Sequence, residues 1–255
     1  MRHALGLCAS MASGLKAQFG TMAKPLNAGL AARTGVEATL WAQAGMTAAA
    51  DGLAGPLGFG ATHHGAAAEI SPGKGPWHIL SISHKFHACC HGLHAMLEAL
   101  RDADLDLERV ETIRIRTHPR WMSVCNIAAP QTGLEAKFSY AQTAAMALTG
   151  QDTGRIGAFT DAITQDAEIT ALRAKMRINE DPRLSETQAE VFVSMEGREM
   201  RRFRHDLMAP MTMEVRADKL RAKAAALVGD RRAEALDAAV HGDDLKAFIA
   251  TLSEG

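Results

Sequence analysis

What the chain has little of narrows the field before any motif is considered. Only four cysteines occur in 255 residues, Cys8, Cys89, Cys90 and Cys125. That is too few for a disulfide framework at this length, and two are sequence neighbours, so a reducing, cytoplasmic setting is expected. Charge of one sign is also missing: 28 Lys and Arg stand against 29 Asp and Glu. Without a basic excess able to displace counterions from phosphates, neither a dedicated nucleic-acid binder nor a polybasic membrane-surface protein is expected. No apolar run is long enough to span a membrane. The first residues lack a signal-peptide core, because Ser10, Ser13 and Lys16 interrupt them. Internal repeats and low-complexity tracts are absent as well. With 47% hydrophobic and 22% charged residues, the composition is that of a globular protein with one large or two smaller domains.

The first third is rich in Ala, Gly and Met and poor in β-branched residues, which favours helices packed through small side chains. Leu5, Cys8, Ala12, Leu15 and Phe19 recur at helical spacing and predict one helix. Pro25 suits the first turn of a second helix reaching about Thr34. Val36, Leu40 and Trp41 predict the apolar face of a third, broken at Gly45. Residues 52–76 read as a Gly-rich loop holding at most a short helix.

From Trp77 the pattern changes. Trp77 to Ser83 alternates as a strand, and Leu93, Met96, Leu97 and Leu100 share one helix face. Val110 to Arg116 is a clearer strand, with Ile113 and Ile115 opposite Arg114 and Arg116. An Ala-rich helix is expected over Ala136–Leu148, ending at Gly150, and a short one over Ile169–Lys175. Ala189, Val191, Val193 and Met195 line one side of a strand that turns at Glu196-Gly197 into Arg198–Arg204. Helical periodicity returns around Leu220, Leu236 and Leu245. The expected class is α+β: helical segments at 1–76 and 207–255 form one helical domain, and residues 77–206 form a mixed α+β domain with its own core.

Three clusters could carry chemistry. In Gly20–Gly29 (GTMAKPLNAG), Thr21, Lys24 and Asn27 sit at a helix start, where ammonium, unpaired amides and dipole together attract an anion. A lysine at a solvated helix start reads the same way. In His84–His94 (HKFHACCHGLH), Lys85, Cys90, His91 and His94 crowd together. The density suggests zinc, yet no C-x-x-C or H-x-x-x-H pairing occurs, so no metal is assigned. Cys90 reads either as an activated thiol or as a small buried hydrophobe. In Glu135–Tyr140 (EAKFSY), Lys137 and Ser139 could bind an anion and Tyr140 could act as acid or base. The alternative is a helix start with an aromatic anchor.

Taken together, GTMAKPLNAG, GPLGFG at Gly55–Gly60, KFHACCHGLHAMLEAL from Lys85 and GLEAKFSYAQTAAMALTG from Gly133 resemble the MmgE/PrpD family, which includes 2-methylcitrate dehydratase and cis-aconitate decarboxylase. The resemblance implies a helical domain built from N- and C-terminal segments with an inserted α+β lid. It also implies cofactor-independent lyase chemistry on a small polycarboxylate. Lys24, Lys85 and His94 match family site positions. Cys90 stands where cis-aconitate decarboxylase has a histidine, Asn27 replaces a common histidine, and Tyr140 is displaced by about a helical step. These departures speak against decarboxylation and leave dehydration, with 2-methylcitrate first, or another α-proton reaction open. Family members are longer, and the chain resembles their C-terminal part. Upstream acid–base residues are therefore expected from elsewhere, with a homodimer or a second chain as partner and little activity from this chain alone. The alternative is a noncatalytic interaction subunit or an inactive remnant of the family.

Overall fold

The computed structural model describes residues 1–18, 20–64, 77 and 82–253. The chain divides into two units, Met1–Ser81 and Ile82–Gly255.

In the first unit, α1 (Arg2–Met11) packs on α2 (Ala23–Gln43), and α3 (Phe59–His64) follows a run of turns. Gly6 lets the chain after α2 lie directly on α1, since a Cβ there would come within 2.8 Å of Ala48 Cβ. The backbone N–H of Ala48 donates to His3 Nδ1 at 3.1 Å and fixes the same contact. The expected first helix is shorter than its periodicity: it stops at Met11, and Gly14 takes a positive φ of 118° that a helix cannot continue through. The expected second and third helices are one, because Gly35 costs only a fraction of the propensity gained over twenty-one residues. The apolar residues of α2 are spread around its axis. Val36, Leu40 and Trp41 stay exposed, and only Ala38 is buried. The strand expected from Trp77 to Ser83, and the loop from Gly65 to Pro76, lie for the most part outside the described residues.

The second unit is built on a four-stranded sheet ordered β2-β1-β3-β4, from β1 (Val110–Thr117), β2 (Met176–Glu180), β3 (Gln188–Met195) and β4 (Arg201–Asp206). β1 runs parallel to β2, with Ile115 opposite Ile178, and antiparallel to β3, with Ile113 opposite Val193. Gly197, at φ 66°, turns β3 into β4 as its Glu-Gly signature requires. One face of the sheet is apolar: Val110, Ile113, Ile115, Val191 and Val193 are all but inaccessible. α4 (His94–Leu100), entered through a 3-10 turn over His91–Leu93, lies against β3 and β4. Leu93, Met96, Leu97 and Leu100 are its buried side, each contributing about 1.5–3 kcal/mol by burial. The other face is charged. Arg114, Arg116 and Arg202 stack over Phe192, and Arg116 pairs with both Asp181 and Glu190.

Between β1 and β2 run α5 (Arg120–Val124), α6 (Gly133–Ala136), α7 (Tyr140–Leu148), α8 (Asp161–Gln165) and α9 (Ala167–Ala174). The helix expected over Ala136–Leu148 is broken instead at Lys137–Ser139. Ser139 leaves the helical region and its hydroxyl caps α7 by accepting from the Gln142 amide at 3.2 Å. Thr132 and Glu135 form a capping box that starts α6 separately. After the sheet come α10 (Met213–Val228), α11 (Asp230–His241) and α12 (Leu245–Ser253), at the three expected helical stretches. The class is α+β, as the sequence implied. No helix of the described residues is long and apolar enough to cross a membrane.

Candidate functional site

The second unit folds the segment Lys85–His94 into a knot held by backbone hydrogen bonds. The Ala88 amide donates to the Thr153 carbonyl at 2.7 Å, and the Cys90 amide to the Lys137 carbonyl at 2.9 Å. The His84–His94 and Glu135–Tyr140 clusters of the sequence are thereby brought side by side. Gly92 permits a tight approach, since a Cβ there would fall 2.6 Å from the Trp121 ring.

Behind this knot sits Glu98, whose side chain is 3% exposed. His87 Nε2 donates to it at 3.1 Å, Arg101 at 2.5 Å and Lys219 of α10 at 2.5 Å. A carboxylate can only accept, so His87 carries its proton on Nε2, and in the neutral ring Nδ1 accepts from the Thr153 hydroxyl at 2.7 Å. Burial alone would raise the Glu98 pKa, but the bonds from His87, Arg101 and Lys219 outweigh it and hold the carboxyl well below its usual range.

His94 is fully buried, with its ring 5.1 Å from that of His87 and 5.0 Å from that of His91. Neither ring nitrogen has a well-formed hydrogen bond. Burial, then the neighbouring His87, His91 and Lys85, push its pKa down to about 2, against a small opposing contribution from the Cys89 backbone. His91 is half-buried and also lowered, by burial first and Lys85 second. Both imidazoles are therefore neutral at neutral pH. Cys89 is pushed up to about 12 by burial, although Lys85, Lys223 and Lys137 pull against it. Cys90 is buried beside it at 6% exposure.

Lys85 is exposed and Lys137 half-buried, its ammonium 5.5 Å from the Phe159 ring and its pKa lowered by burial. Neither forms a salt bridge among the described residues. Ser139 and Tyr140 face inward. The Ser139 hydroxyl caps α7, and the Tyr140 hydroxyl donates to the Gly92 carbonyl at 2.6 Å while sharing a hydrogen bond with Thr117 at 2.7 Å. Both side chains are inaccessible, and burial raises the Tyr140 pKa far above its ordinary value.

Thr21, Lys24 and Asn27 belong to the first unit. Thr21 precedes α2 and its hydroxyl accepts from the Ala23 amide at 3.2 Å while donating to the Gln18 carbonyl. Lys24 occupies the first turn of α2 and Asn27 lies three residues on, beside Gly14. The expected helix start is present at the GTMAKPLNAG motif.

Glu98, Lys219 and Lys223 escape a motif-based reading. One signal was available for Glu98: a single carboxylate four residues after His94, in an otherwise apolar helix. No group of three or more His, Cys, Asp or Glu among the described residues is arranged to hold a metal ion.

A search of curated proteins finds no match. The model of the MmgE/PrpD C-terminal domain matches residues 87–244, a segment that contains Cys90, His91, His94, Lys137, Ser139 and Tyr140 and leaves Lys24 and Lys85 outside. That match covers more than half of the chain, so the chain belongs to the MmgE/PrpD family.

Proposed function

We propose that the protein is a cofactor-independent hydro-lyase acting on a small polycarboxylate such as 2-methylcitrate. The observation that carries this reading is that the Lys85–His94 segment is bonded to the Lys137 backbone, which gathers two lysines with no salt bridge among the described residues, Lys85 and Lys137, around a neutral, half-buried imidazole, His91. Removing a proton next to a carboxylate accumulates negative charge on that group, and fixed ammonium groups stabilise it best where water is partly excluded. His91 is the group best suited to move the proton. Its depressed pKa leaves it unprotonated and able to accept, and the imidazolium then formed can return a proton to the departing β-hydroxyl. His94, walled in and unprotonated, packs against His91 and fixes its ring. The capped, inward Ser139 and Tyr140 support the scaffold around Lys137. For Lys24, Thr21 and Asn27 the same role rests on the family resemblance, and a partner chain that supplies further acid–base groups remains part of the proposal.

The test is a dehydration assay on 2-methylcitrate, with calorimetric titration of citrate as the binding readout. Lys85→Ala and Lys24→Ala are each expected to lower the turnover of a competent assembly by about a hundredfold or more. Wild-type rates in both, or no binding of citrate by the wild-type protein, would end this reading. The second reading, a noncatalytic interaction subunit, is favoured by the exposed Val36, Leu40 and Trp41 on α2. Citrate-independent complex formation without turnover would support it.

A further inference from the structure

The charged face of the sheet carries a row of arginines in register. Because Ile113 and Ile115 take the core side of β1, Arg114 and Arg116 take the other. Strand pairing sets Phe192 of β3 between Arg114 of β1 and Arg202 of β4, and sets Arg114 beside Arg177 of β2. The Arg114 and Arg202 guanidiniums lie 5.1 and 5.7 Å from the centre of the Phe192 ring. A cleft of about 340 Å³ opens here, with Thr112, Arg114, Arg177, Asn179, Phe192 and Ser194 in its walls.

Charge on this face does not balance. Glu190 accepts from Arg116 at 3.1 Å and from Arg202 at 2.5 Å, and Asp181 is shared by Arg116 and Arg183. Arg114 and Arg177 have no salt bridge among the described residues, although their strands run only ~4.8 Å apart and like charges at facing positions are destabilising. Both are nevertheless held in place. Arg177 donates through Nη1 to the Ala174 and Met176 carbonyls at 3.0 and 2.8 Å, which leaves Nε and Nη2 uncommitted among the described residues. Arg114 is steadied over the Phe192 ring, and none of its N–H groups donates to a described residue.

Two fixed guanidiniums with open donors call for an anion of two charges and at least three acceptor oxygens. A phosphate monoester has both near neutral pH, and guanidinium meets its oxygens in bidentate fashion. A lone carboxylate, with one charge and two oxygens, fills one fork and leaves the other open. The cleft has room beyond the phosphoryl group for a small organic moiety, and Thr112, Ser194 and Asn179 offer hydroxyls and an amide to its polar substituents. A nucleic-acid strand fits less well, because Phe192 is the one aromatic ring in the wall and guanidiniums already stand over it, so no base can stack there.

We infer that the charged sheet face binds a small phosphate ester, its phosphoryl group held between Arg114 and Arg177. This site is separate from the proposed lyase site, since Lys85, His91 and Lys137 do not line the cleft.

Calorimetric titration of the full chain with ribose 5-phosphate tests the assignment, with inorganic phosphate, citrate and a short single-stranded oligonucleotide titrated alongside. One ribose 5-phosphate per chain is expected. Arg114→Gln and Arg177→Gln should each weaken it about 10- to 100-fold, the loss of a charged hydrogen bond. Arg204→Gln, on the same face but outside the cleft, should stay within about twofold. Wild-type affinity in both cleft variants, or no binding of ribose 5-phosphate and inorganic phosphate by the wild-type chain, would overturn the inference. Inorganic phosphate binding as tightly as the ester would overturn the ester and leave free phosphate as the ligand. Displacement of ribose 5-phosphate by equimolar citrate would refute selectivity for phosphate, and tighter binding of the oligonucleotide would assign the face to nucleic acid instead. Should a cleft variant not fold, NMR of the arginine Nε–H groups in the wild-type protein decides: those of Arg114 and Arg177 must shift with ribose 5-phosphate, and unmoved resonances at saturation refute the site.

Discussion

Lys219 of α10 and Glu98 of α4 meet at 2.5 Å across 121 positions of sequence, and the carboxylate they share with His87 and Arg101 is almost completely buried. A single side chain therefore ties together the helix under the sheet, the knot of the candidate site and the first helix after the sheet.

Removing that carboxylate leaves the half-buried Lys219 without its counter-charge. Glu98→Ala should destabilise the protein by about 3–5 kcal/mol, read from urea denaturation at pH 7. The pH dependence follows from the lowered pKa. The contribution of Glu98 is complete above its unfolded value of 4.5 and is lost as pH falls through the still lower folded value. Glu98→Gln should flatten the acid limb of the stability profile below pH 4.5 and nowhere else.

His94 acts earlier in the pH range. Its pKa falls from 6.5 to about 2 on folding, so the unfolded chain binds a proton that the native site refuses. Stability is complete above pH 6.5 and declines as pH falls below it, by about 2 kcal/mol at pH 5. His94→Met, which fills similar space without the orphaned nitrogens, should remove this decline. An unfolding free energy that still drops by the same amount between pH 7 and pH 5 would contradict it.

Tyr140→Phe deletes the hydroxyl bound to Gly92 and Thr117 and leaves buried polar groups unsatisfied. The expected cost is about 1–3 kcal/mol in thermal or urea unfolding. Citrate affinity should stay within about twofold, because the hydroxyl is sealed in the core. A large loss of affinity with unchanged stability would place it at the ligand.

Two glycines separate steric from conformational cost. A Cβ on Gly133 would lie 2.1 Å from the Phe159 carbonyl oxygen, so the backbone must shift. Gly133→Ala should cost about 3 kcal/mol or more. Gly150 has open space but a φ of 79°, and Gly150→Ala should cost only about 1–2 kcal/mol. Equal losses for the two would show that the contact at Gly133 relaxes freely.

The periodic parts of the fold were readable because one face of each element is buried. Ile113 with Ile115, Val191 with Val193, and Leu93 with Leu97 reveal β1, β3 and α4 by their spacing. β2 was invisible for the same reason: it is an edge strand of five residues that buries only Met176. Breaks were harder to read than elements, because Ser139 and Gly14 end helices by local hydrogen bonding and φ while the apolar rhythm runs past them. Of the candidate site, Lys85, His91, His94 and Lys137 stood out through the density of their clusters. Glu98 meets Lys219, and Lys223 meets Gly154, only when distant segments come together, and no local spacing encodes that.

The parallel pairing of β1 with β2 has a consequence for assembly. Parallel neighbours require a crossover, and here it is the stretch carrying α5 to α9, with Lys137 and the Thr153–Gly154 turn inside it. β2 cannot reach its place until that stretch has closed as a loop. The entropy of closure is spent before the edge pairing repays it. Completing the sheet and assembling the candidate site thus depend on the same loop closure, and a chain in which that stretch is open is also a chain with an unfinished edge that neighbouring molecules can pair with.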